Sequence, residues 1–473
     1  MAEAPLWTID ELAAATGGTL EGKIVHALNG VEIDSRAIAA GDIFVAIKGD
    51  RTDGHEYAAN VLNAGAGVAI VSRPDDAMRT AGPLLIVDDA LTALEAMGRA
   101  ARARSTAHII AVTGSVGKTT TKDALNVALS ACGKTHASAS SFNNHWGVPL
   151  TLARLPRDAR FGVFEVGMNH AGEIETLIDM VRPHTAIVTA IAESHLGHFS
   201  SLTGIAHAKA EIFTGVVSGG TAIINRDTEF FDLLRYAAAA QGISDIRSFG
   251  ETAAADITIR TMKLHDQCSC VTIDLRGHDV TYKLGAPGRH VVMNSLAVLG
   301  ACEAAGADLA KCALALASIA PPSGRGVRHS LQKEGLKLSL IDESYNANPA
   351  SMRAALEMLG NADVSGRGRR LAVLGDMLEL GVQSKDLHGQ LHQPVEAANV
   401  DLLFACGPDM KALWQEVPAS MHGAYAASSD EIVEPLLTEL RNGDVIMVKG
   451  SLGSRMGQVV QAILKKYGGK TGN

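Results

Sequence analysis

Aromatic residues are scarce: Phe, Trp and Tyr together make up 4% of the chain. A core with so few of them must be filled by Ala, Val, Leu and Ile, which suits helices packed closely on a sheet. An uninterrupted apolar run of about 20 residues is also missing, and that argues against a membrane-spanning helix. The alanine-rich segment 296–320 is broken by Glu303, Asp308 and Lys311, and reads as a pair of helices in water. The opening residues, MAEAPLWTIDEL, offer neither the basic stretch nor the apolar core of a secretory signal. The cysteines, at 132, 268, 270, 302, 312 and 406, form no CxxC pair and no zinc-like spacing. They are expected to be idle thiols in a reducing cytoplasm. Excess positive charge is absent too. The formal net charge of −9 gives no global attraction to nucleic acid or an anionic membrane, so a polyanionic ligand would have to meet local cations.

What is present is an ordinary globular balance, 47% apolar and 20% charged, spread over 473 residues. Single cores stop growing at roughly 250–300 residues, so two or three domains are expected. The expected fold class is α/β with three domains, at 1–105, 106–322 and 323–473. The first opens with a helix at 8–16, has strands near 42–47, 67–72 and 84–87, and ends in the amphipathic LTALEAMGRAARARS. The second alternates apolar runs (108–112, 161–166, 185–191 and 221–225) with helical patterns, the rhythm of a mostly parallel sheet covered on both faces. Residues 256–285 alternate with period two and predict an antiparallel appendage, closed by helices over 290–320. The prolines and glycines of PPSGRG, 321–326, break the pattern. KLSLID, RRLAVLGD, DLLFACG and DVIMVKG then repeat the α/β rhythm.

The strongest local signal is HIIAVTGSVGKTTTKDAL. A strand ending at Val112 meets a glycine-bearing loop, and a helix starts near Lys118. Free N–H groups at a helix start, aided by the helix dipole, form an anion site, and glycine lets the backbone approach phosphate. Thr113, Gly114, Ser115, Val116, Gly117, Lys118, Thr119 and Thr120 are therefore candidates for nucleotide binding. Lys118 would reach the β- and γ-phosphates, and the Thr119 hydroxyl would help to hold Mg²⁺. The eight-residue Walker pattern wants glycine where Val112 stands, so the loop departs from the common form.

Glu165 interrupts an apolar strand, and Glu193 and His195 follow directly on another. Strand C-terminal ends of a parallel sheet share one edge, where ligands bind. Glu165, His195 and the loop should converge there, with the two side chains as Mg²⁺ ligands. In GIAHAKAEIFTGV, Lys209 falls on the helix face of Ile205, Ile212 and Phe213. By position alone it would snorkel, its stem buried and its ammonium in water. The alternative is an amine of lowered pKa that takes up CO₂ as a carbamate.

TGSVGKTTTK, EVGMN, ESHLGHF and IAHAKAEI, in this order, resemble the Mur ligases, the ATP-dependent amino-acid ligases of peptidoglycan assembly. IDSRAIAAGDIFVAIKGDRTDGHEYA, SFNNHWGVPLTL, IDESYNANP, VLGDMLELG and VKGS resemble the branch that adds D-alanyl-D-alanine to UDP-N-acetylmuramoyl-tripeptide. The resemblance covers nearly the whole chain. It implies a first domain for the UDP end of the precursor, a central ATPase with a P-loop-like sheet, and a Rossmann-like third domain that closes over the site and binds the dipeptide. Lys118, Glu165, His195 and Lys209 would be catalytic, and Thr119, Glu165, His195 and Lys209 would serve one or two Mg²⁺ ions, Lys209 as the carbamate. Asn294 would contact adenine, while Arg325 and Asp342 would reach phosphate and ribose. Ser35, Arg36, Asp53, Gly54 and His55 correspond to the precursor-binding segment, and Asn143 and Asn144 to an inner substrate loop. Tyr345, Asn346, Asn348 and Lys449 lie in motifs expected near the dipeptide.

Glu343 stands where an aspartate is usual, and Ser194 where alanine is frequent. The Asp-Asn-Pro-Arg signature by which a sister ligase selects diaminopimelate is absent from the third block. A related ligase adding a single amino acid, folylpolyglutamate synthesis included, is the alternative. A P-loop kinase or GTPase would leave YNANP and GDMLELG without a purpose, and a scaffold would leave the loop idle. No nucleic-acid partner and no membrane insertion are expected, and the chain should act as a monomer.

Overall fold

The computed structural model describes the chain except residues 1–4, 24–26, 50–51, 140–141, 194–196, 198, 200, 266, 321–323, 334 and 469–473. The architecture is α/β in three domains, each built on its own sheet. The first sheet has five strands between Thr19 and Ile86, parallel except for the edge strand Thr19–Glu21, which runs against Leu84–Ile86. Helix Ile9–Thr16 is fixed at its start by a capping box between Thr8 and Glu11. Helix Ala90–Arg104 carries the chain into the middle domain and packs on helix Gly147–Ala153 there.

The middle sheet has nine strands. Its heart is the parallel trio Thr185–Val188, His108–Thr113 and Phe161–Glu165, all with interiors fully buried. Burial on both faces explains why these strands are continuous apolar runs rather than alternating ones. Residues 257–284 form two antiparallel hairpins, as the period-two pattern predicts, and they extend the same sheet through a short parallel pairing of Phe249 and Gly250 with Ile257 and Thr258. The third sheet has six strands, antiparallel only at Val327–Lys333 against Leu336–Glu343.

The differences from expectation are local. Strands Asp245–Gly250, Val327–Lys333 and His422–Ala426 have mixed, half-exposed faces that give no clear period. The strand expected over 185–191 stops at Val188, because residues 189–190 turn to meet the phosphate loop.

Candidate functional site

The register brings the site together. Val112 is the partner of Glu165 on one side and of Ile187 on the other. The phosphate loop, Glu165 and the segment after Val188 therefore leave the sheet at one edge, side by side.

The loop itself is zipped to its neighbour. Ser115 N donates to Ala190 O at 2.7 Å, and Thr189 Oγ1 donates to Val116 O at 2.6 Å. Gly114 has φ +146° and a Cβ there would sit 2.0 Å from Thr189 Oγ1; Gly117 has φ +86° and a Cβ there would crowd the Asn294 amide at 2.9 Å. Glycine suits both places, by the space at the first and by the positive φ at each. Gly117 starts the helix Lys118–Ser130 with no side-chain cap, so its first N–H groups are left for a ligand. Lys118 Nζ folds back on Gly114 O at 2.7 Å. Burial pushes its ammonium below the usual lysine range, against the opposite pull of Glu165. The Oγ atoms of Thr113 and Ser115 are buried without hydrogen-bond partners among the described residues.

Glu165 is 1% exposed. Asn143 Nδ2 donates to its Oε1 at 2.8 Å, while Oε2 has no partner among the described residues. An unsatisfied buried carboxylate oxygen costs about 1–3 kcal/mol or more, a cost that a bound cation would remove. Lys209 ends the helix Leu202–Ala210 and is 0% exposed, with no hydrogen-bond partner for Nζ among the described residues. The snorkelling expectation is therefore wrong: the whole side chain, ammonium included, is shut off from solvent. Burial, reinforced by Lys118, pushes its pKa well below the usual lysine value, and Glu211, Glu165 and Glu173 only partly oppose this. His195 lies outside the described residues. Among the described residues no group of three or more His, Cys, Asp or Glu stands ready for a metal.

A cavity of about 460 Å³ joins the middle and third domains here, within the range of small-molecule sites. Lys118, Thr119, Thr120, Glu165, Asn143 and Asn294 line it from one side, and Arg325, Tyr345, Asn346, Asn348 and Lys449 from the other. The Arg325 guanidinium lies over the Tyr345 ring, 4.4 Å from its centroid. Lys449 Nζ donates to Glu343 Oε2 at 3.2 Å and to Asn346 O at 2.9 Å. Asn348 also caps helix Pro349–Gly360.

Other predicted residues stand elsewhere. Asp342 is buried and accepts from the backbone N–H and hydroxyl of Ser344; it does not line this cavity. Successive strand residues face opposite ways, and of the Asp342–Glu343 pair it is Glu343 that faces the cavity. Sequence reasoning missed that role for Glu343 and also missed His290, which lines the same space. The strand period, applied to IDESYNANP, would have found the first. Asn144 spends its Oδ1 on Gly147 N at 2.9 Å, a helix-entry contact. In the first domain, Asp53 Oδ1 accepts from His55 Nδ1 at 2.7 Å, and His55 Nε2 accepts from Ser72 N at 3.0 Å. Gly54 N donates to Ile47 O at 2.9 Å. Arg36 is engaged by Asp34, and Ser35 is half-buried in the turn before it. None of these first-domain residues lines the cavity.

A phosphate loop, a buried carboxylate beside it and a third domain roofing the cleft define an ATP-type ligase architecture, and the chain belongs to the Mur ligase family. Three family profiles match it: the Mur ligase family catalytic domain over 27–123, the Mur ligase middle domain over 112–302 and the Mur ligase glutamate ligase domain over 328–452. Within the family it is similar to the UDP-N-acetylmuramoyl-tripeptide–D-alanyl-D-alanine ligase of Escherichia coli, 35% identical over 96% of this chain and 98% of the relative. The crystal structure of MurF from Acinetobacter baumannii superposes with a TM-score of 0.84 at 31% identity, covering 97% of this chain and 99% of that one. The MurF ligase of Thermotoga maritima in complex with ADP shares the fold, with a TM-score of 0.76 at 24% identity over 92% of this chain and 97% of that one. Among the described residues no helix is long and apolar enough to cross a membrane.

Proposed function

We propose that the chain joins D-alanyl-D-alanine to UDP-N-acetylmuramoyl-tripeptide at the expense of ATP, through an acyl phosphate, and so supplies the pentapeptide precursor of peptidoglycan. The full-length similarity to relatives of that name carries the proposal, and the two-sided cavity supports it.

The reaction begins when the tripeptide carboxylate attacks the γ-phosphorus of ATP and ADP leaves. The dipeptide amine then adds to the acyl carbonyl and phosphate departs. Bringing a carboxylate to a triphosphate demands cations where charge accumulates. Lys118 and the uncapped helix start supply them from the middle domain, and Arg325 from the linker. Lys118 would exchange its present bond to Gly114 O for phosphate. Asn294, against Gly117, suits the base of the nucleotide, and Glu343 is better placed than Asp342 for its ribose. The Asp53–His55 cluster of the first domain would receive the UDP end. Tyr345, Asn346, Asn348 and Lys449 face the same cavity from the third domain, as a dipeptide site requires. Closure of that domain keeps water from the acyl phosphate.

The orphaned Glu165 Oε2 fits a divalent cation. Mg²⁺ held by Thr119, Glu165, His195 and a carbamate on Lys209 would neutralise phosphate charge. Only a neutral amine adds to CO₂, releasing a proton as the carbamate forms. The depressed pKa of Lys209 favours that form, and the modification would turn a buried amine into an anionic ligand.

Mass spectrometry of the product from ATP, UDP-tripeptide and D-alanyl-D-alanine tests the reading; phosphate release without need of both carboxylate and dipeptide would end it. Lys118→Ala should abolish ligation while precursor binding, measured by calorimetry, is retained. Full activity in that variant would remove this loop from the reaction.

A further inference from the structure

None of the six cysteines lines the cavity, yet three of them stand together behind the site. Cys132 follows the last turn of the phosphate-loop helix Lys118–Ser130. Cys302 lies on helix Arg289–Ala304 and Cys312 on helix Leu309–Ala315, both packed on the phosphate-loop helix. Cys132 Sγ is 3.6 Å from Cys312 Sγ and also donates to Asp308 O at 3.6 Å. Cys302 hydrogen-bonds Cys312 from within.

The three thiols differ in access. Cys302 and Cys312 are 0% exposed, and Cys132 is partly open to solvent. Hydrogen bonds from Cys302 and then Cys132 hold the Cys312 thiol down to about 7, while burial raises that of Cys132. The accessible thiol is therefore backed by one with ready thiolate character, the arrangement of an attacked and a resolving sulfur. Transient disulfides of this kind occur in otherwise reducing compartments.

We propose that Cys132 and Cys312 form a reversible dithiol–disulfide site, oxidised by hydroperoxides, that clips the end of the phosphate-loop helix to helix Leu309–Ala315. Cys132 passes its proton to the neighbouring Cys312 sulfur as it attacks the peroxide. One oxygen is transferred to Cys132, giving the sulfenic acid, and the peroxide leaves as water or an alcohol, after which Cys312 gives up its proton again. The Cys312 thiolate then attacks Cys132 Sγ; the S–S bond forms, and hydroxide leaves and is protonated to water. Two electrons pass from the thiol pair to one peroxide, and Cys302 stays a thiol. Helix Leu309–Ala315 runs on toward Gly324 and Arg325 at the cavity wall, so the bridge would join two supports of the nucleotide site.

The test uses the full chain with Cys268→Ser and Cys270→Ser, which removes the competing thiols of the exposed hairpin. Hydrogen peroxide should consume two of the four remaining thiols, and non-reducing peptide mapping should find Cys132 linked to Cys312. Dithiothreitol should restore both. Adding Cys132→Ser should abolish the linked peptide. Mapping of the peroxide-treated wild-type chain gives the same reading without any variant. Four thiols surviving, Cys132 oxidised to a sulfinic acid beside a free Cys312, or a Cys302–Cys312 link in place of the predicted one would each overturn the proposal.

Discussion

Lys209 and Lys449 are buried alike, 0% and 2% exposed, in the middle and third domains that meet at the cleft, but their surroundings differ. Lys449 ends the strand Val445–Lys449 opposite Glu343, its register partner, and gives its protons to that carboxylate and to Asn346 O. Lys209 lies in the last turn of a helix and gives its protons to no described residue. Burial alone thus says little about a lysine. A paired one holds a structure together; an unpaired one destabilises the fold and is available for chemistry.

The largest expected effect breaks the paired lysine. Lys449→Met leaves Glu343 without its cation, and removing one partner of a buried pair costs about 3–5 kcal/mol. Urea unfolding should show that loss as a lower midpoint. Lys209→Met removes an unpaired, desolvated amine, so the same measurement should show no loss, or a gain. Its ligation rate should nevertheless fall by about 10²–10³-fold, the scale on which a single electrostatic group acts at a transition state. Equal destabilisation of both variants would erase the distinction.

Acidity sharpens it further. The folded pKa of Lys209 is depressed, so between that value and the unfolded value near 10.4 the unfolded chain holds a proton that the folded chain lacks. The contribution of Lys209 to stability is therefore unfavourable at neutral pH and is relieved as pH rises toward about 10. Relative to Lys209→Met, the wild-type chain should gain about 1.4 kcal/mol for each pH unit within that window. Paired urea melts at a series of pH values rising toward 10 check this, and a constant difference throughout would show that the amine is charged and solvated when folded.

Much of this was legible in the sequence. The loop from Thr113 to Thr120, the carboxylate of Glu165 and the polar residues of YNANP stand out because each interrupts an apolar or periodic run. Their meeting followed from one rule, that parallel strands end at a common edge. What stayed hidden depended on contacts distant in sequence. Lys209 sits where a snorkelling lysine would, and only the packing of the folded chain shuts it from water. Asn143 and Asn144 are neighbours of one type, yet one holds Glu165 and the other a helix start. Asp342 and Glu343 differ only in which way the strand points them. The cysteine cluster assembles from three helices, and no spacing of Cys132, Cys302 and Cys312 could announce it.

The smallest expected effect concerns an ion pair at the junction itself. Arg353 Nη2 on the third domain lies 3.0 Å from Glu193 Oε2 on the middle one, with side chains 49% and 30% exposed. Nearby, Gly197 N donates to Glu379 O at 2.9 Å. Exposed pairs contribute about 0–1 kcal/mol and weaken as salt screens them. Arg353→Ala should leave the unfolding midpoint unchanged and raise KM for the dipeptide less than about fivefold, and salt should shrink the difference. In a double-mutant cycle with Glu193→Gln, the coupling should stay below about 1 kcal/mol. A coupling as large as that of the buried Lys449 pair would mean that domain closure desolvates this contact, and the exposed junction would then belong with the buried lysines.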